Sequence, residues 1–347
     1  MKEISLLQSN QSGSWLHKAL TAALFVTAAC GTSTGVGESN TEAQQVLDGH
    51  HAEPICLGQT SLHTLYRAKQ CRSLTGLTGT GFQLLSAQKG CSEIQNLDTT
   101  GAQLRGSINN SKLSATDFIG AVLTFSDKSG NIGEARIDQV VLDPMDLSRE
   151  TYLYTLTTGI PGSSQRSNLC AADASGQAVA MPLRGLWGAD GSQSQTDTAI
   201  SFNCTSGAIA KCVRWGYRPW QSYNGVQLAD HHQACTRMAR ADYCGTGQSN
   251  TIEGTTVDLY DNLRMLTSTP ALLSLFEATW TPSGAYCIAR ERWLTLEGLL
   301  TPTCKQGFVL QIQSSPIEPL DLCFARRTGT SASDALLGNR TTLNIGL

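Results

Sequence analysis

The sequence predicts an α+β protein, with a β-rich amino-terminal segment followed by a disulfide-stabilised mixed α/β carboxy-terminal domain. Three observations carry that expectation. Short apolar runs separated by Gly, Asn, Asp and Ser fill residues 75–158, the pattern of strands joined by turns. Beyond Cys170 the composition shifts, with Trp187, Trp215, Trp220, Trp280 and Trp293 in this half and helical patterns entering between strands. Eight cysteines crowd the same half: Cys170, Cys204, Cys212, Cys235, Cys244, Cys287, Cys304 and Cys323.

Composition narrows the function classes. Charged residues make up 15% of the 347, against a typical ~25%. The formal net charge is -3, so the Lys and Arg excess that neutralises phosphates is absent and no nucleic-acid partner is expected.

At the amino terminus, Lys2 and Lys18 precede an uncharged run of 11 residues, Ala19–Ala29. That run falls short of the ~20 apolar residues of a spanning helix and has the length of a signal-peptide core, so residues 1–29 are expected to direct export. Thr27-Ala28-Ala29-Cys30 resembles the bacterial lipobox, which implies lipidation of Cys30. Thr27 stands where lipoboxes usually have Leu, and ordinary signal-peptidase cleavage at Thr27-Ala28-Ala29 is the competing expectation. Gly31, rather than Asp, after Cys30 fits outer-membrane sorting. Residues 30–54 are small and polar, the composition of a flexible tether. They include Gly31-Thr32-Ser33-Thr34-Gly35, a formal nucleophile-elbow string, but no buried strand precedes it and it is set aside.

Residues 55–150 form the β-rich segment, with strands expected at Phe82–Leu85, Ala121–Phe125 and Ile137–Leu142. Ile108, Leu113, Phe118 and Leu123 recur every fifth position like a pentapeptide coil, yet four steps are too few to bury a solenoid core. Asp127–Glu134 spaces oxygen-bearing side chains as a calcium loop does. Ile132 holds the place where an EF-hand loop needs Gly, so a hairpin turn is expected there.

Residues 151–326 form the second domain, opening on a strand at Tyr152–Leu156. Asp230 is expected to cap a helix through His231, His232, Cys235, Met238 and Ala239, and Ser268-Thr269-Pro270 to start another over Ala271–Ala278. Phe308–Ile312 returns to a strand, and residues 327–347 read as a frayed polar tail. In an oxidising compartment the eight cysteines are disulfide candidates, and their pairing is open among 105 connectivities. The short-loop pairs Cys204–Cys212 and Cys235–Cys244 are the simplest guesses. Cys56, Cys71 and Cys91 make an odd set, implying a free thiol or a bridge between segments.

Chemistry-bearing residues concentrate around Cys244. A thiol hydrolase would use Cys244 as nucleophile, His231 or His232 as base and Asp242 as orienting carboxylate. A cysteine among eight in an exported protein is more often half of a bridge. Zinc on His231, Cys235 and Cys244 needs thiolates that bridging consumes, so no metal and no cofactor are expected. Arg214, Arg218, Arg237 and Arg240, with Trp220 beside them, read as a solvated basic face or, more sharply, as a site for an anionic glycan stacked on Trp220.

The string Arg240-Ala241-Asp242-Tyr243-Cys244-Gly245-Thr246-Gly247, with Gly216-Tyr217, Pro219-Trp220 and Gly284-Ala285-Tyr286-Cys287, resembles the signature of the ADYC-domain family over about residues 150–305. The family occurs in exported proteins of myxobacteria and relatives, so the resemblance implies a compartment and no particular reaction. The expected function is a non-enzymatic binding or structural module of the cell envelope. Its expected partners are the membrane, through a lipid anchor, and a glycan or envelope protein. The alternative is a secreted hydrolase at Cys244.

Overall fold

Alternation builds the first layer. In Ile132–Leu142 the side chains of Ala135 and Ile137 turn inward while Ile132, Glu134 and Arg136 face out, the period of a strand with one buried face. The computed structural model describes residues 66–68 and 82–342, apart from 127–131, 160–164, 174, 189, 195–198, 252–254, 270–273, 293–303 and 305–306. The expected signal peptide, Cys30 and the tether lie outside the described residues.

Phe82–Lys89, Val122–Ser126, Ile132–Leu142, Tyr152–Gly159, Ala180–Arg184 and Ile200–Cys204 pair antiparallel in chain order, and the last returns to the first. Six strands thus close into a barrel, an arrangement that leaves no free sheet edge. The seam between Tyr152–Gly159 and Ala180–Arg184 is a single pair, Tyr154 with Ala180, and Arg166–Asn168 continues it along the strand. Phe125, Tyr154 and Phe202 fill the interior edge to face at 5.5–5.6 Å, and the Leu104 N–H donates to the Tyr154 hydroxyl at 2.9 Å. The 55–150 boundary runs through this sheet, because Ile132–Leu142 pairs with Tyr152–Gly159 across it; the clean split expected from composition is replaced by one barrel spanning both segments. Val122–Ser126 and Ile132–Leu142 form the hairpin expected around Asp127, whose turn lies outside the described residues.

A second sheet has seven antiparallel strands in the order Tyr66–Ala68, Thr255–Asp261, Leu337–Thr342, Ser274–Thr281, Gly284–Ile288, Leu322–Arg327 and Phe308–Ser314. Two expectations are corrected here. Ser274–Thr281 is a strand where Ala271–Ala278 was expected to be helical, since its backbone pairs with Leu337–Thr342 on one side and Gly284–Ile288 on the other while Phe276–Thr281 are buried. The tail is not frayed: Leu337–Thr342 lies at the sheet's centre with Leu337, Asn339 and Thr341 buried. Only glycine fits at position 338, because the Tyr260 ring occupies the space that a side chain would need.

Two helices, α1 (Ala208–Arg214) and α2 (Ala229–Arg240), lie between barrel and sheet. Ile209, Ala210 and Val213 of α1 pack on Leu153, Met181 and Leu183 on the outside of the barrel. Ala234, Met238 and Ala239 of α2 pack on Leu259, Ala278, Trp280 and Leu337 of the sheet. Asp230 is the second residue of α2 rather than its cap, which is Leu228; a carboxylate in the first turn still favours the helix dipole.

Candidate functional site

Every residue of Ala241-Asp242-Tyr243-Cys244 is buried or bridged, and each has its own structural task at the end of α2. Ala241 adopts the left-handed conformation (φ 51°) and ends the helix, its N–H bonding to the Met238 carbonyl at 2.9 Å. The turned chain brings Asp242 back under α2, where Arg237 Nη1 pairs with Oδ2 at 2.5 Å and the Thr246 and Gly247 N–H groups donate at 3.1 and 2.9 Å. A carboxylate so surrounded fixes the turn. Gly245 (φ 73°) closes it, because a Cβ there would collide with the Ser283 carbonyl oxygen.

Tyr243 stacks on Trp280 with ring centroids 5.2 Å apart. Its hydroxyl donates to Glu277 Oε1 at 3.0 Å and accepts from the Arg292 N–H at 2.6 Å. Burial, and then the charge of Glu277, push the phenol well above its ordinary range, so it stays protonated. Glu277 and Arg292 are fully buried and pair at 3.0 Å. Arg292 also donates to the Met238 and Ala239 carbonyls at the end of α2 and to Thr251 Oγ1, while Glu277 Oε2 accepts from Thr341 Oγ1. Sequence reading missed this pair, for Glu277 and Arg292 stand on separate elements and no local spacing links them to Tyr243.

The eight cysteines form four bridges, Cys170–Cys204, Cys212–Cys235, Cys244–Cys304 and Cys287–Cys323. Both short-loop guesses are corrected. Cys204 ends a barrel strand and pairs with Cys170, just past the short strand Arg166–Asn168, whereas Cys212 and Cys235 face each other across α1 and α2. These pairings remove the option of a bridge between segments; Cys91 is itself disulfide-bonded. With its Sγ bound to Cys304, Cys244 has no thiolate, and the Cys/His/Asp hydrolase site expected as the alternative loses its nucleophile.

The histidines are likewise committed to packing. His231 Nε2–H donates to Asn262 Oδ1 at 2.8 Å and its ring stacks on Tyr217. His232 Nε2–H donates to the Ile209 carbonyl of α1 at 3.0 Å, and its ring meets Trp187 edge to face. Burial of the imidazolium lowers the His232 pKa from 6.5 to about 4. The folded state therefore binds fewer protons than the unfolded one between those values. This contribution is fully present above pH 6.5 and is lost as pH falls toward 4, about 3 kcal/mol in all. Urea unfolding at pH 7.0 and 4.5 is expected to show most of that loss. His232→Gln, which keeps a donor for Ile209 without titrating, should flatten the slope; an unchanged slope would assign the pH dependence elsewhere.

The basic candidates are internally paired rather than solvated. Arg214 Nε meets Asp143 at 2.8 Å and its Nη1 meets Asp173 at 3.0 Å; Arg218 pairs with Asp146 at 2.6 Å. Trp220 Nε1–H donates to Glu150 Oε2 at 2.8 Å. Arg237 and Arg240 are buried beneath Gly191 at the tip of the hairpin formed by Leu186–Trp187 and Gln193–Ser194. Four of their partners, Asp143, Asp146, Glu150 and Asp173, come from barrel loops far away in sequence. Among the described residues no group of three His, Cys, Asp or Glu is placed to hold a metal ion.

The ADYC domain model matches residues 115–294, a span that runs from the later barrel strands through both helices to Arg292. No curated protein and no solved structure matches the chain.

Proposed function

The chain belongs to the ADYC-domain family, and from that premise we propose that it is an exported, lipid-anchored cell-envelope protein whose ADYC domain is a non-enzymatic binding or structural module. The observation that carries this reading is the fate of the signature itself. Ala241, Asp242, Tyr243 and Cys244 act as a helix stop, a turn anchor, a core ring and a bridge, which leaves none of them for chemistry on a substrate. Four disulfides among the described residues support a compartment outside the reducing cytoplasm. The apolar run Ala19–Ala29 and Cys30 supply the export signal and the anchor in this reading, with outer-membrane attachment and residues 30–54 as the tether. A glycan or envelope protein would meet the loop around half-buried Trp220, beside exposed Tyr223 and Val226.

Peptide mapping of the mature protein, purified from its own envelope without reduction and with free thiols alkylated, tests both halves. The expected result is an acylated Cys30 at the amino terminus and Cys244 joined to Cys304. An unmodified amino terminus would overturn the anchor, and an alkylated Cys244 would overturn the structural assignment of the signature.

A further inference from the structure

The eight cysteines do not pair in the order in which they occur. Cys170–Cys204 and Cys212–Cys235 each join neighbours among the eight, whereas Cys244–Cys304 and Cys287–Cys323 interleave, because Cys287 lies inside the first loop and Cys304 inside the second. The interleaved bridges join residues 60 and 36 apart in sequence. Joining Cys244 to Cys287 and Cys304 to Cys323 closes two shorter loops, which loop-closure entropy favours in the unfolded chain by roughly fourfold over the native pairs. A chain delivered from its amino terminus also presents Cys244 and Cys287 before either native partner.

The fold can correct such an error only late. Cys287 stands in Gly284–Ile288 and Cys323 in Leu322–Arg327, which pair only once the second strand has arrived. Leu337–Thr342, which completes the sheet between Thr255–Asp261 and Ser274–Thr281, comes later still. The contact that seats the signature gives no protection, because the Ala285 N–H donates to the Tyr243 carbonyl at 3.0 Å and so draws the strand bearing Cys287 alongside Cys244. In the finished fold Cys287, Cys304 and Cys323 are buried, out of reach of an attacking thiolate. A misplaced pair is therefore rearranged while the sheet is still open, by thiol–disulfide exchange without net oxidation. An external thiolate attacks Cys244 Sγ of a Cys244–Cys287 bridge and releases the Cys287 thiolate, which attacks Cys323 Sγ and releases the Cys304 thiolate. That thiolate attacks Cys244 Sγ, forms Cys244–Cys304 and returns the external thiolate.

We infer that this chain is a client of a reduced disulfide isomerase, which supplies that thiolate in the compartment where the chain folds. The exported reading above bears only on where the two meet; purified components test the pairing, and mapping of Cys30 tests export separately. Reduced, unfolded full chain is diluted from guanidinium into one equivalent of diamide per thiol pair and freed of oxidant. It is then incubated with or without a catalytic amount of reduced protein disulfide isomerase, alkylated and peptide-mapped. Without isomerase, Cys244–Cys287 and Cys304–Cys323 are expected to outnumber the native pairs, and isomerase should raise the native pairs by roughly threefold or more. Cys287→Ala/Cys323→Ala and Cys244→Ala/Cys304→Ala each leave only bridges between neighbours, so isomerase should not change the yield of the surviving bridge. Cys170→Ala/Cys204→Ala keeps the interleaved pairs and should keep the dependence. The first two variants remove different bridges, so the instability of one leaves the other as the comparison. Native pairs formed equally well without isomerase, or a dependence that persists in both of those variants, overturns the inference.

Discussion

Replacing Arg292 by Met is expected to lower the unfolding free energy by about 3–5 kcal/mol, the cost of leaving a buried charge without its partner. Glu277 would remain fully buried with its counter-ion gone, and the Met238 and Ala239 carbonyls near the end of α2 would lose the guanidinium N–H groups that donate to them. Arg292→Met/Glu277→Leu, which removes both charges, should recover much of the loss, because a buried pair is a weaker source of stability than its broken half is a liability. Guanidinium unfolding of the wild type, both single variants and the double variant gives the coupling between them. A single-variant loss below about 1 kcal/mol would mean that the pair is solvated and that Tyr243 does not depend on it.

Deleting residues 337–347 is expected to abolish cooperative folding of the sheet, a larger effect than that of any single substitution. Leu337–Thr342 pairs on one side with Thr255–Asp261 and on the other with Ser274–Thr281, so its removal opens two unpaired edges in the middle of the sheet. Trp280 Nε1–H loses Asn339 Oδ1 at 2.7 Å, and Glu277 loses Thr341. Each orphaned group adds its own desolvation cost. Far-UV circular dichroism and limited proteolysis of the truncated chain provide the readout. A truncated chain with a sharp thermal transition near that of the wild type would show that the strand is dispensable.

Four of the six barrel strands were legible in the sequence because each buries alternate side chains against a common interior, which writes a period of two into residues such as Val122–Ser126 and Ile132–Leu142; Ala180–Arg184 and Ile200–Cys204, nearly buried on both faces, were not read. Leu337–Thr342 was not legible. Its buried side chains include Asn339 and Thr341, which are polar and acceptable in a core only because Trp280 and Glu277 are there to bond them. Ser274–Thr281 was misread because Ser268-Thr269-Pro270 is a good helix start, and local start signals say nothing of the two strands that flank the segment in space. At the signature, the turn role of Asp242 follows from the glycines after it. The arginines were misjudged as solvated since their carboxylates are remote in the chain, Asp143 lying 71 residues before Arg214. Pairing cysteines by nearness failed for a similar reason: the helices carry Cys212 and Cys235 toward each other and away from their sequence neighbours.

The bridge between α1 and α2 has a mechanical consequence. None of the four assigned disulfides runs directly from barrel to sheet; Cys170–Cys204 lies on the barrel side, and Cys244–Cys304 and Cys287–Cys323 lie on the sheet side. Cys212–Cys235 alone joins the helix packed on the barrel to the helix packed on the sheet. Load applied to either layer can therefore cross to the other through this short covalent strut as well as through the connecting backbone and the packing of α1 on α2. Cutting that strut would leave the connecting backbone and side-chain packing to transmit force, and the helical layer would behave as a compliant joint.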